Sequence, residues 1–245
     1  MDFALTQDQE MIRATAEAFL ADASPSTAVR QAMATVDGFD ATTWRRVGEE
    51  LGWCATTIPE DFGGLGLTIV EQVILMEQMG RRLFCSPYFA TACLAATALL
   101  QVGTPAARQR YLPAIASGTL TATLAFGECG LDGEAGTVTA TARPSAGGFC
   151  LSGRFRHVPD GASAQLLLLP GRVAGNDDIA LFAVPADCFA SARHFSSFPA
   201  SARTTRRSSR AAAASRSSGT SCAGGARRTR SPRSTACRSR WSAAS

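Results

Sequence analysis

The chain has 245 residues, 46% of them hydrophobic, which is enough to build one large or two modest domains. Residues 1–189 carry 12 Arg and 20 Asp or Glu, whereas residues 190–245 carry the other 12 Arg and no acidic residue. The sequence has no secretion signal, and no apolar run reaches the roughly 18 residues of a membrane span. We therefore expect a cytoplasmic protein without a membrane partner.

Capping signals divide the first part of the chain into helices. Thr6 and Gln9 have the spacing of a capping box, in which each side chain bonds the other residue's backbone N–H. Asp40 is placed to cap a short helix that ends at Gly52, because glycine readily adopts the left-handed backbone found at helix ends. Thr104, which precedes a proline, predicts the start of another helix.

A glycine-rich stretch, IPEDFGGLGL, precedes the next helix. Dinucleotide-binding loops follow a strand and have the order G-x-G-x-x-G, whereas this stretch follows a helix and has the order G-G-x-G. We therefore interpret it as a turn between helices. Thr68 and Glu71 then form a second capping box. The helix that they open carries Ile69, Val73 and Met76 on one face.

The sequence pattern changes at Thr119. Short runs of alternating residues follow, separated by Gly, Asp, Asn and Pro, which is typical of strands and turns. Helices followed by strands indicate segregated parts rather than an alternating α/β sheet. The predicted fold class is α+β, with an N-terminal all-α helical domain at residues 1–118 and an incomplete antiparallel β-barrel-like domain at residues 119–198.

Five motifs in register resemble the acyl-CoA dehydrogenase family. They are WRRVGEELGW, IPEDFGGLGL, EQMGRRL, GTPAARQRYLPAIASGTLTATLAF and GGFCLSGRFRHVPDGASAQLLLLP, and together they extend over about residues 3–198. The resemblance implies a subunit made of a helical domain, a β-domain and a helical bundle, with FAD between the last two. It also implies an acyl-CoA substrate and an electron-transferring flavoprotein as partner. In that chemistry a carboxylate removes the α-proton while the flavin accepts a hydride.

The two segments that border the flavin in this family are altered here. The resemblance places main-chain contacts with FAD at Phe126, Gly127 and Val158. Glycine replaces the family's threonine at Gly127, and Pro159 replaces a second threonine and has neither a hydroxyl nor an N–H to donate. We therefore expect reduced rather than absent FAD affinity. Glu128 matches a motif position that is structural in the family, so we assign no catalytic base in this chain.

No other catalytic or metal site is assigned. His157, Asp160 and Ser163 lie close in sequence, but a Ser-His-Asp triad is defined by geometry rather than by proximity. We interpret His157 as a packing residue. The eight Cys have no zinc spacing, and we expect them to be buried thiols in a reducing compartment.

Residues 199–245 form an Arg/Ser/Ala-rich segment. The chain contains no Leu, Ile or Val after Val184, so burial of apolar surface cannot offset the entropy of ordering this segment. We predict a disordered basic tail. We favour an out-of-frame translation as its origin, and a genuine basic segment that binds nucleic acid or an anionic surface, or an evolved linker, are the alternatives.

The sequence therefore predicts an acyl-CoA dehydrogenase-like flavoprotein that lacks the C-terminal helical domain. Alone, it is expected to be weakly active or inactive. One alternative is a non-catalytic subunit that pairs with a full-length homologous subunit. Another is an Arg-driven nucleic-acid binder, which we disfavour because aromatic residues for base stacking are nearly missing from the tail.

Overall fold

The computed structural model describes residues 4–125, 138–145, 148–155, 158–175, 178–186 and 199–200. Its N-terminal part is helical, with α1 Gln7–Ala23, α2 Ser26–Met33, α3 Ala41–Arg45, α4 Ile69–Arg81, α5 Ala96–Val102 and α6 Pro105–Ala116. Wider π-helical turns continue α3 at Arg46–Glu50 and precede α5 at Phe89–Ala95. Short 3-10 turns lie at Trp53–Ala55 and Glu60–Phe62.

The predicted capping signals are confirmed. The backbone N–H of Gln9 donates to the Thr6 hydroxyl at 3.2 Å, and the Thr6 N–H donates to the Gln9 side chain at 3.0 Å. Asp40 accepts a 2.7 Å hydrogen bond from the Thr43 N–H, and this bond lowers the pKa of the Asp40 carboxyl. Gly52 has the left-handed backbone expected of a helix end, with φ of 63°. Local sequence therefore determines where these helices begin and end.

Helix α4 turns its predicted apolar face outward. Ile69 and Val73 are 64% and 57% exposed, and Met76 is half-buried. The Glu71 carboxylate accepts a 2.8 Å hydrogen bond from Gln9 Nε2 of α1, which fixes the rotation of α4 at its N-terminus. The face that this rotation buries contains Glu71, Gln72, Ile74, Leu75, Gln78 and Met79.

Strands follow the helices, as the predicted α+β organisation requires. They are β1 Ala122–Leu124, β2 Thr141–Ser145, β3 Gly148–Ser152, β4 Leu166–Val173, β5 Ile179–Pro185 and β6 Pro199–Ala200. Strand β4 pairs with β1 at residues 166–168, with β2 at residues 172–173, and with β5 along nearly its whole length. Strand β6, the first two residues of the predicted tail, pairs with β3, while residues 201–245 lie outside the described residues.

The sheet is mixed and open in the described residues, so the predicted antiparallel, barrel-like domain is not confirmed. The pairs β2–β3, β3–β6 and β4–β5 are antiparallel, but β1 and β2 both run parallel to β4. A parallel pair requires a long crossover connection, which the chain between β1 and β4 provides by including the β2–β3 hairpin. Side chains alternate in the same way in both kinds of pair, so alternation could not reveal strand direction.

One hydrophobic core is shared by helices and sheet. Ile58, Leu99, Leu112 and Ile115 from the helical part pack in the same cluster as Ala122, Leu166 and Leu168 from β1 and β4. A second cluster lies within the helices around Trp44, Trp53 and Leu75, and a third lies on the sheet around Phe155, Leu169 and Phe182. Among the described helices, none combines the length and the apolar character that a bilayer crossing requires.

Candidate functional site

The predicted flavin-contact residues are described only in part. Phe126 and Gly127 lie outside the described residues, as do Glu128 and His157. Val158 is described: it is half-buried and packs against the sheet cluster that contains Phe182. The geometry of the site is therefore that of the segment beginning at Val158.

Val158 is the first residue of a tight turn in which some main-chain groups make hydrogen bonds and others do not. Its carbonyl accepts a 3.2 Å hydrogen bond from the Gly161 N–H. Among the described residues, the Val158 N–H donates to no other main-chain group. Pro159 has no N–H, and its carbonyl accepts a 2.6 Å hydrogen bond from the Thr123 hydroxyl. The segment therefore fits a main-chain contact with a flavin, but it does not fit the hydroxyl contact that a threonine at 159 would make.

The same turn is attached to the sheet at its far end. The Thr121 hydroxyl donates to the Ser163 carbonyl at 3.2 Å and accepts a 3.2 Å hydrogen bond from the Gln165 N–H. The Thr121 N–H donates to Gln165 Oε1 at 3.0 Å. Within the turn, Asp160 adopts a left-handed backbone with φ of 49°, and burial raises the pKa of its carboxyl. The turn is thus a defined structure rather than a loose connection.

A second feature, which the sequence did not predict, is an apolar groove of about 280 Å³ between α1 and α4. Its apolar walls are Met11, Ile12, Leu51, Trp53, Leu65, Leu67 and Leu75. Leu65 is 50% exposed and Met11 is 63% exposed, and the outward face of α4 extends this apolar surface. The sequence does contain a signal for this groove. It is a second row of apolar residues beside the face that α4 buries, made of Leu65, Leu67, Ile69, Val70 and Val73.

The groove contains one strongly perturbed carboxyl. Hydrogen bonds from the Thr68 side chain and from Gln9, in that order of importance, lower the pKa of Glu71 from 4.5 to about 2. The Thr68 N–H also donates to Glu71 Oε2 at 2.8 Å. Because both oxygens accept hydrogen bonds from the protein, Glu71 remains ionised near neutral pH and serves to hold α4 against α1. It is not poised to accept a proton from a substrate.

Two thiols of the helical part, the buried Cys54 and the half-buried Cys93, have raised pKa values. Burial raises the pKa of Cys54 to about 12 and that of Cys93 to about 11, so both remain protonated at neutral pH. The four described cysteines, Cys54, Cys85, Cys93 and Cys150, are free thiols. In the described part of the chain, no three His, Cys, Asp or Glu side chains are grouped so that they could hold a metal ion.

Comparison with protein families identifies the helical part. The family described as "Acyl-CoA dehydrogenase, N-terminal domain" matches residues 6–119. Over residues 6–119 the chain is therefore similar to the N-terminal domain of acyl-CoA dehydrogenases. The resemblance inferred from the sequence motifs is therefore confirmed, and the matched segment contains the whole groove together with α1 to α6.

Curated acyl-CoA dehydrogenases are similar to this chain over part of their length. Acyl-CoA dehydrogenase IpdE2 of Mycolicibacterium smegmatis is 34% identical over 122 residues, which are 50% of this chain and 38% of that protein. The mitochondrial isovaleryl-CoA dehydrogenase of Arabidopsis thaliana is 29% identical over 150 residues, which are 59% of this chain and 36% of that protein. The chain therefore spans less than two fifths of either relative.

Solved structures extend the similarity into the sheet. The ChsE4-ChsE5 complex from Mycobacterium tuberculosis is 26% identical with a TM-score of 0.63, covering 76% of this chain and 49% of that chain. A structure titled as an electron transferring flavoprotein of Acidaminococcus fermentans is 25% identical with a TM-score of 0.64, covering 76% and 49%. The acyl-CoA dehydrogenase of Bacillus anthracis complexed with FAD, 22% identical, shares the fold with a TM-score of 0.67, covering 78% and 32%.

The hydrogen bonds of Glu71 predict a pH-dependent contribution to stability. A pKa lowered by folding stabilises the protein above the unfolded value near 4.5, and this stabilisation is lost as the pH falls toward 2. Glu71→Gln should lower the free energy of unfolding by about 1–2 kcal/mol at pH 7, because glutamine has one acceptor oxygen and cannot accept from both Thr68 and Gln9. Urea denaturation at pH 7 and pH 3 should show the difference from wild type shrinking at the lower pH.

Glu77→Gln, on the outer face of the same helix, is the matched control, since it removes the same charge from an exposed position. An equal loss of stability in both variants, or a Glu71→Gln effect that does not change with pH, would contradict this role of Glu71.

Proposed function

We propose that the chain is the helical and β portion of an FAD-dependent acyl-CoA dehydrogenase, with a helical domain at residues 1–118 and an incomplete β-domain at residues 119–198. The observation that carries the proposal is the N-terminal family match over residues 6–119, continued into the sheet by structural neighbours that cover about three quarters of the chain. The parent reaction would be α,β-dehydrogenation of an acyl-CoA thioester.

FAD is the proposed cofactor, and main-chain groups at Phe126, Gly127 and Val158 would hold it. Val158 supports this assignment, because its N–H makes no main-chain hydrogen bond to another described residue and its side chain packs on the sheet core. When bound, FAD would supply the hydride acceptor for the β-hydrogen of the thioester. The Gly127 and Pro159 substitutions remove two hydroxyl donors, so we expect weaker FAD binding than in homologues that keep both threonines.

We further propose that the chain alone is inactive or nearly so. The reaction needs a carboxylate to remove the α-proton, and residues 190–245 contain no Asp or Glu. Glu71 is fully hydrogen-bonded within the groove and cannot take this role. We assign the base role to no residue of this chain. The out-of-frame origin of residues 199–245 and the cytoplasmic location stay predictions of the sequence.

Flavin titration tests the cofactor and the missing base together. The purified full-length chain should bind added FAD, seen as quenching of flavin fluorescence, yet an acyl-CoA added without oxygen should leave the flavin absorbance unchanged. A homologous acyl-CoA dehydrogenase that is bleached by the same acyl-CoA serves as the positive control. No FAD binding would contradict the cofactor assignment, and stoichiometric bleaching would contradict the absence of a base.

We propose that the groove between α1 and α4 docks an electron-transferring flavoprotein. Its volume of about 280 Å³ lies just below the roughly 300–1,000 Å³ of small-molecule pockets, so it suits an apolar side chain of a protein partner. Met11, Leu65 and Leu67 expose apolar surface around it that a partner would cover. The choice of partner comes from the family resemblance, which implies that electrons leave through an electron-transferring flavoprotein. A full-length homologous subunit is the alternative, supported by the neighbour titled as a complex.

A charge placed in the groove tests this docking. Leu67→Glu should weaken binding of the electron-transferring flavoprotein from the same genome at least about tenfold, because a carboxylate would be buried in an apolar contact. Surface plasmon resonance with the FAD-loaded full chain measures the affinity. Val36→Glu, at a residue that is 99% exposed and outside the groove, is the control and should bind like the wild type.

Equal affinity of the Leu67→Glu variant and the wild type would contradict the docking proposal. The proposal would also be contradicted if the groove bound a full-length homologous subunit and the chain did not bind the electron-transferring flavoprotein at all. Circular dichroism of both variants establishes that the helical part is intact.

A further inference from the structure

The turn that begins at Val158 is attached at two points, to Thr123 in β1 and to Thr121, the residue just before β1. At one end, the Thr123 hydroxyl donates to the Pro159 carbonyl at 2.6 Å. At the other end, Thr121 exchanges hydrogen bonds with Ser163 and Gln165. Strand β1 therefore determines where the whole turn lies relative to the sheet.

Between these two attachments the backbone is strained. Asp160 has a positive φ of 49°, which side-chain-bearing residues rarely adopt, and its carbonyl accepts hydrogen bonds from the Ser163 N–H at 3.2 Å and the Ala164 N–H at 2.9 Å. Strained backbone persists only where its surroundings hold it, and it is concentrated at functional sites. The attachments to β1 supply that restraint on both sides of Asp160.

We propose that Thr123 is a positioning residue for the flavin site: its hydroxyl holds the Val158–Pro159 main chain at the place where Val158 N–H meets the cofactor. The inference rests on the proposed function, since it assumes that Val158 contacts FAD. Thr123 itself is not a cofactor contact. It acts through the Pro159 carbonyl.

The chemistry of the segment explains why a neighbouring strand must provide this hydroxyl. Pro159 cannot donate a hydrogen bond, so its carbonyl is the only polar group through which the protein can hold that residue. Thr123 is completely buried, so its hydroxyl has no competing water partner.

Thr123→Val tests the proposal, because valine keeps the shape of threonine and removes the hydroxyl. We expect the dissociation constant for FAD to rise about tenfold, the factor that corresponds to one lost hydrogen bond. Thr123→Ser keeps the hydroxyl and should restore affinity to near the wild-type value. Titration of the full-length chain with FAD, followed by flavin fluorescence, measures all three proteins.

Thr56→Val is the matched structural control. The Thr56 hydroxyl donates to the Trp53 carbonyl at the same distance of 2.6 Å, and Thr56 is 2% exposed, but it lies in the helical part. It should lose similar stability without any change in FAD affinity. Equal FAD affinity in Thr123→Val and the wild type, or equal weakening by Thr56→Val, would overturn the proposal.

Hydrogen exchange separates this inference from the proposed function. In the FAD-free chain, the Gly161 and Ala164 amides should exchange faster in Thr123→Val than in the wild type or in Thr56→Val, and unchanged exchange would overturn the positioning role. If the wild type binds no FAD, the proposed function fails by itself, while this comparison still tests the attachment. Should Thr123→Val not fold, addition of FAD to the wild type must slow exchange at Gly161 and Ala164, and no slowing overturns the inference.

Discussion

A reciprocal pair of hydrogen bonds joins the helical part of this protein to its sheet. The Thr91 hydroxyl donates to the Ala122 carbonyl and accepts from the Ala122 N–H, both at 3.1 Å. Both residues are essentially inaccessible to solvent, so neither main-chain group of Ala122 could turn to water if the contact were lost. One threonine on a helical turn thereby satisfies the first residue of β1 and sets where the sheet begins.

The remaining architecture follows from that placement. Ala122 pairs in parallel with Leu166 of β4, and both pack with Leu112 and Ile115 of α6 in the shared core. Strand β4 also pairs with β2 and β5, so the position of β1 affects where those strands lie. The turn from Val158 to Gln165 is attached to Thr123 of β1 and to Thr121 just before it, so its position also depends on where β1 lies.

The sequence predicted the features that depend on neighbouring residues, such as helix starts. It did not predict the features that depend on packing between distant elements. Capping residues such as Thr6 and Asp40 act on backbone groups within three residues, so their spacing alone located the helix starts. The outward face of α4 and the parallel course of β1 depend on contacts with distant elements, which periodicity does not encode. The groove was missed for the same reason, since its walls come from segments far apart in the chain. Motif resemblance, by contrast, identified the family, because several short motifs in register carry more information than any one of them.

The central claim is that the helices and the sheet fold as one cooperative unit through the Thr91–Ala122 contact. Native-state hydrogen exchange of the full-length chain tests it most directly, by comparing the Ala122 amide with the Ile115 amide in α6. We expect both to exchange only through global unfolding, with the same opening free energy, and we expect Thr91→Val to lower both together. An Ala122 amide that opens on its own, at a clearly lower free energy than Ile115, would show that the sheet is independent of the helices and would contradict the account.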